Sequence, residues 1–241
     1  MGKLIVLTVS IFCAQLSFLK DNKMNMHTNI AGKSVVADTT IRKSFLALGD
    51  SYTIGESVSA SERFPEQTVK YLQEQGINFS SPEIIGKTGW TTGNLLNALA
   101  NAAPSKQTYD IVTLLIGVNN QYQHEPQPQY ADEFLTLLNK AIQFAGNNKK
   151  RVIVLSIPDY SVTPFADGSD KALIAKKIDA FNAINKTIAQ QAGVNYVDIT
   201  GYTRMAATDA SLIASDGLHP SGIEYKVWAY QLVPVIQTAI K

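Results

Sequence analysis

At 241 residues the chain is long enough for one medium α/β domain with a substantial core, and it needs no second domain. Its 21 Lys and Arg nearly balance its 20 Asp and Glu, for a net charge of +1, so no field is expected to gather nucleic acid or an anionic membrane. A single cysteine, Cys13, excludes disulfides, cysteine nucleophiles and cysteine metal sites from the rest of the chain.

The chain begins "MGKLIVLTVSIFCAQLSFLK", with one Lys near its start and an apolar run from Leu4 to about Leu19; the polar "DNKMNMHTN" follows. This is the pattern of an export signal, expected over residues 1–20, with a polar segment over 21–43 and the folded domain over 44–241. A membrane span needs roughly 20 apolar residues, so an uncleaved anchor or a buried helix is the weaker alternative, and no stable insertion is expected after signal removal. The expected location is therefore periplasmic or extracellular. A lipoprotein signal also ends at a cysteine, but Phe12 stands where such signals resemble one another in carrying a small residue, which places lipid anchoring through Cys13 second.

From Ser44 onward, short apolar runs alternate with longer amphipathic stretches. "SFLALGD" predicts a strand, and "RFPEQTVKYLQEQG" a helix closed by Gly76. "INFSSPEIIG" predicts a second strand and "TTGNLLNALANAA" a helix. "YDIVTLLIGVNN" is apolar at consecutive positions, as strands buried on both faces are. A Pro-rich loop, "QYQHEPQPQY", precedes a helix from about Ala131 to Phe144, the strand "RVIVLSIPD", a helix from about Lys171 to Gln191 and the strand "VNYVDIT". A last helix runs from about Gly222 to Thr238. Strands separated by such helices predict a parallel sheet of five strands with helices on both faces, joined by right-handed crossovers.

In such a sheet, ligands sit beyond the carboxyl ends of the strands, where the strand order reverses. Ser51 follows the first strand and Asn119 the third. A serine hydroxyl becomes a nucleophile only when a base accepts its proton, and histidine is the usual base because it titrates near working pH. The chain has three histidines. His27 lies in the polar segment, where solvation explains it, and His124 in the Pro-rich loop, where it is expected to be exposed or to face substrate. His219 lies in "ASDGLHPSG", three residues after Asp216. A tight turn at this spacing brings the carboxylate against one imidazole nitrogen and leaves the other to face a serine, the logic of a Ser-His-Asp triad; a capping turn explains the spacing equally well.

Four blocks occur in order: "GDSYTIGE", "GKTGWTTG", "IGVNN" and "DGLHPSG". Together, over Phe45 to roughly Lys226, they resemble the SGNH hydrolases, also called GDSL esterases. The resemblance implies the single three-layer, flavodoxin-like fold of that family and a serine esterase acting on short-acyl esters, acetylated sugars or lysophospholipids. It implies Ser51 as nucleophile, His219 as base and Asp216 as the acid that orients it. It also implies an oxyanion hole from Gly89, the Asn119 side chain and the Ser51 backbone N–H. Asp50 is expected to accept backbone hydrogen bonds in the turn and to stand outside the triad. The alternatives are an exported glycan-binding module that keeps the fold without turnover, and an acyltransferase using the same residues.

One position departs from the family pattern: Asn120 stands where an aspartate is frequent, which bears on loop geometry and substrate fit more than on chemistry. Trp90, Tyr122 and Tyr130 are candidates to line an acyl or sugar pocket, with packing between helices as the alternative. "GKT" at Gly86–Thr88 imitates a phosphate-binding loop, but Ser81 and Pro82 occupy the place of its required first glycine. No histidine pair suits a metal, and no cofactor is expected. The expected partner is a small-molecule or glycan ester.

Overall fold

The structure, a computed structural model, describes residues 42–241. The expected export signal, Cys13, His27 and nearly all of the polar segment lie outside the described residues. The sheet is built from β1 (Phe45–Asp50), β2 (Glu83–Lys87), β3 (Ile111–Leu115), β4 (Val152–Leu155) and β5 (Asn195–Val197). All pairings are parallel and the spatial order is β2-β1-β3-β4-β5. β1, β3 and β4 are buried at every position, which explains their unbroken apolar runs.

The connecting helices are α1 (Ser51–Ile54), α2 (Phe64–Glu74), α3 (Thr92–Asn101), α4 (Val118–Tyr122), α5 (Gln127–Phe144), α6 (Lys171–Ala192), α7 (Thr200–Thr203) and α8 (Gly222–Ala239). The path from β1 to β2 runs one way across the sheet and the later crossovers run the other way, so right-handed connections separate α2 from α3, α5 and α6. Accordingly α2 packs on α8, while α3 packs on α5 and α5 on α6. The result is one three-layer α/β domain with helices on both faces of a five-stranded parallel sheet. Among the described residues no helix is long and apolar enough to cross a membrane.

Two expected elements differ in extent. Only the last four residues of "INFSSPEIIG" form strand, in β2 (Glu83–Lys87), which runs one residue further; Phe79 makes an isolated bridge to Lys43, and Pro82, which has no N–H to donate, separates the two. The Pro-rich stretch is largely helical: α4 covers Val118–Tyr122, and α5 begins at Gln127. Pro128 sits in the first turn of α5, where a missing N–H costs nothing and a fixed φ suits the helix. Prolines that read as loop punctuation are here a helix start.

β1 ends tightly. A Cβ on Gly49 would lie 2.0 Å from Thr53 Oγ1 and 2.3 Å from the Leu115 carbonyl oxygen, so only glycine lets α1 turn back against β3. Thr91 caps α3, accepting from the Asn94 N–H while the Asn94 side chain accepts from the Thr91 N–H at 3.1 Å.

Candidate active site

The strand order reverses between β1 and β3, so their carboxyl ends flank the crevice where ligands bind in such folds. The loops that follow them carry Ser51 and Asn119. Ser51 opens α1 and is 3% exposed. Asp50 caps this helix: its Oδ1 accepts the Tyr52 N–H at 3.0 Å, as expected of a turn residue. Burial pushes the Asp50 carboxyl up to about 7, against the opposing pull of that backbone hydrogen bond.

The loop before α8 brings in the histidine. Ile213 bridges Pro220 antiparallel, and the Ala214 N–H donates to the His219 carbonyl at 2.7 Å, closing a narrow turn around Asp216 and Gly217. Within it Asp216 does two jobs, one with each oxygen. Oδ1 accepts the Leu218 and His219 N–H groups at 2.9 and 3.0 Å, which caps the turn. Oδ2 lies 2.6 Å from His219 Nδ1. His219 Nε2 then faces Ser51 Oγ at 2.9 Å, across 168 positions of sequence. The capping turn and the triad spacing are thus one arrangement. Burial works to raise the Asp216 carboxyl, but hydrogen bonds from His219, from the Leu218 and His219 N–H groups and from Ser57 prevail and hold it well below the usual carboxylate range. The Tyr52 ring lies against the imidazole, centroids 4.8 Å apart and planes tilted by 55°.

Gly89 follows β2 at φ +81°, a backbone conformation that favours glycine, and lines the cleft. Asn119 of α4 and Gln123, which caps its carboxyl end, grip this loop by its carbonyls: Asn119 Nδ2 donates to the Trp90 oxygen at 3.0 Å and Gln123 Nε2 to the Gly89 oxygen at 3.2 Å. Asn119 Nδ2 also stands 3.5 Å from Asp50 Oδ2, so the amide joins the loops after β1, β2 and β3. Asn120, the departure from the family pattern, points away from the cleft. Fully buried, it accepts the Thr92 N–H at 3.1 Å and donates to Thr92 Oγ1 and Glu125 Oε2, each at 2.6 Å. It anchors the start of α3, just past Gly89.

The cleft has a volume of about 120 Å³. Its outer wall is aromatic: Tyr122, Tyr160 and Phe165 pack edge to face or tilted, with centroids 5.8–6.2 Å apart. The same three rings border a wider hollow of about 470 Å³ that reaches His124 and Lys177. Of the aromatic candidates, Tyr122 lines the cleft and is 50% exposed, whereas Trp90 is half-buried and presents its carbonyl to Asn119. Tyr130 is a correction: it is fully buried against Phe134 and Phe181, with its hydroxyl donating to the Ile116 carbonyl at 3.3 Å. It is a core residue.

Tyr160 and Phe165 were not singled out by sequence. They follow the carboxyl end of β4, and extending the strand-end rule to that strand finds them. Their segment is pinned by Asp159, whose Oδ1 accepts the Ser161 N–H at 2.9 Å and whose Oδ2 accepts Arg204 Nε at 2.8 Å. Among the described residues no group of His, Cys, Asp and Glu side chains is arranged to hold a metal.

Behind His219, a small hollow is bordered by Glu224 of α8 and Asp159. Burial pushes the Glu224 carboxyl up to about 7 from 4.5, although the Trp228 indole N–H at 3.2 Å favours its charged form. Because its folded value is raised, the native state holds a proton that the unfolded chain releases. Stability is therefore lost as pH rises from about 4.5 to about 7. Glu224→Gln keeps an acceptor for Trp228 without the charge. It is expected to raise stability by up to about 3 kcal/mol at pH 8 and hardly at all at pH 4, read as melting temperature at the two pH values. An equal gain at both would show that the carboxyl is not held protonated by burial.

Residues 47–227 match the GDSL-like Lipase/Acylhydrolase family. Similar solved structures include a lipase, Lip_vut3, from a goat rumen metagenome, with 19% identity, a TM-score of 0.65 and coverage of 80% of this chain and 97% of that one. A lipase/acylhydrolase from Enterococcus faecalis is 19% identical, with a TM-score of 0.62 and coverage of 82% and 97%. The acetylxylan esterase Axe2 from Geobacillus stearothermophilus is 20% identical, with a TM-score of 0.57 and coverage of 80% and 94%. At these identities the likeness concerns the fold. No curated protein matches the chain. Fold and family match define a carboxylic ester hydrolase. The chain belongs to the GDSL-like lipase/acylhydrolase family.

Proposed function

We propose that the protein is a serine esterase for short-acyl esters, working through Ser51, His219 and Asp216 and an acyl-enzyme. The observation that carries this reading is the unbroken line from Ser51 Oγ to His219 Nε2 (2.9 Å) and from His219 Nδ1 to Asp216 Oδ2 (2.6 Å). His219 takes the Ser51 proton as the hydroxyl attacks the acyl carbon, and returns it to the departing alcohol. Water, activated by the same imidazole, then releases the acid. Asp216 holds the imidazole in one tautomer and stabilises its charged form. The Ser51 and Gly89 backbone N–H groups and the Asn119 amide are the donors for the developing oxyanion, with the long contact from Asn119 to Asp50 the one it relinquishes.

The small cleft favours a short acyl group: about 120 Å³ is well under the roughly 300–1,000 Å³ of pockets that enclose drug-sized ligands. Each added methylene would gain about 0.8 kcal/mol on burial if it fitted, so a rate that falls with chain length reports exclusion. Across a panel of activated esters, kcat/KM is expected to be highest from acetyl to butyryl and at least about tenfold lower at octanoyl. A fluorophosphonate should label Ser51 in the same preparation. Rates that climb with chain length would overturn the short-acyl assignment, and a folded protein that takes no label would leave the glycan-binding module as the better reading.

A further inference from the structure

We propose, resting on the reading of Ser51, His219 and Asp216 just given, that Ser57 is a positioning residue that fixes the Asp216 carboxylate for its work on His219. Ser57 Oγ donates to Asp216 Oδ2 at 2.7 Å, the same oxygen that lies 2.6 Å from His219 Nδ1. The two residues are 159 positions apart, so this contact is made by the fold and not by a local turn.

The contact matters because of how the carboxylate is otherwise held. Its other oxygen, Oδ1, is tied to the Leu218 and His219 N–H groups. That tether sets where the carboxylate sits but leaves its plane free to swing about the tethered oxygen. A second donor on Oδ2 removes that freedom and keeps the oxygen in line with the imidazole. The Asp216 side chain is 28% exposed, so without Ser57 water competes for Oδ2.

The backbone at Ser57 supplies an independent observation. Its φ is +64°, in the left-handed region that glycine occupies without strain and serine does not. A loop that needed only the turn would be better served by glycine; the hydroxyl is what a serine adds. The surrounding loop is also tied to the site. Gly55 turns the chain at the end of α1, the Glu56 N–H donates to the Ser51 carbonyl at 3.0 Å, and the Glu56 carboxylate accepts the Thr88 hydroxyl beside Gly89. Three consecutive residues thus close the nucleophile's own turn, hold the Gly89 loop and reach the acid.

Ser57→Gly separates positioning from structure, since it removes the hydroxyl and relieves the backbone at once. The expected result is a melting temperature equal to or above that of the parent, KM within about twofold and kcat lower by about three- to thirtyfold on an acetyl ester. Ser57→Ala should match it in kcat. The far-downfield proton resonance of His219 Nδ1–H is expected to broaden in Ser57→Gly as exchange with water quickens. Parental kcat and resonance in a folded Ser57→Gly protein would overturn the proposal. A Ser51→Ala control distinguishes the two failures: if it still turns over ester, the reading of the site falls, while the His219 resonance still reports whether Ser57 holds Asp216.

Discussion

Ser51→Ala is expected to abolish ester turnover, lowering kcat by about 10⁴-fold or more while the protein keeps its melting temperature. On the proposed mechanism the rate effect is large because alanine removes the atom that would bond to the acyl carbon, and the remaining donors act only on a weak attack by water. The stability effect is small because Ser51 Oγ faces His219 at the edge of a cleft and fills no part of the core. His219→Ala should cost nearly as much, since an unassisted hydroxyl is a poor nucleophile. The joint variant should be hardly worse than either alone, because residues that act as a unit are not additive. Steady-state kinetics on an acetyl ester, with melting curves for each variant, read all three. Ser51→Ala turnover within tenfold of the parent would remove Ser51 from its role, and a joint loss equal to the product of the single losses would show that the two residues act separately.

Gly49→Ala is expected to be the most damaging small substitution in the domain, costing about 3 kcal/mol or more. The new Cβ would meet Thr53 Oγ1 at 2.0 Å and the Leu115 carbonyl oxygen at 2.3 Å. A side chain can rotate away from the first contact. The second is backbone of β3 in register beside β1, and it yields only if the strands part. Because Gly49 immediately precedes Asp50 and Ser51, the strain falls on the turn that presents Ser51, the proposed nucleophile. Melting temperature should drop by roughly 10 °C, and activity should fall even where the variant is folded. Gly201→Ala is the matched control: a Cβ there meets nothing within 4 Å in the helical setting of α7. It should be neutral or slightly stabilising. Equal behaviour of the two variants would show that the tight end of β1 is not what demands glycine.

The sequence by itself determined a good deal. Buried parallel strands announce themselves as unbroken apolar runs, which is why β1, β3 and β4 were legible, and helices between them leave few topologies. Short-range chemistry was legible too: Asp50 as the cap after β1, and the turn joining Asp216 to His219, are made within three residues. Where local signals conflict, tertiary packing decided. Pro128 reads as loop but starts α5, and Tyr130, for which sequence left a pocket and packing between helices both open, is drawn into the core by Phe134 and Phe181. The aromatic wall of Tyr122, Tyr160 and Phe165 and the bond from Ser57 to Asp216 were invisible, since nothing in a periodic pattern records which loops meet beyond the ends of a sheet. Periodicity reports which face of an element is buried; the meeting of residues 159 or 168 positions apart depends on strand order and crossover hand, which exist only once the chain has folded.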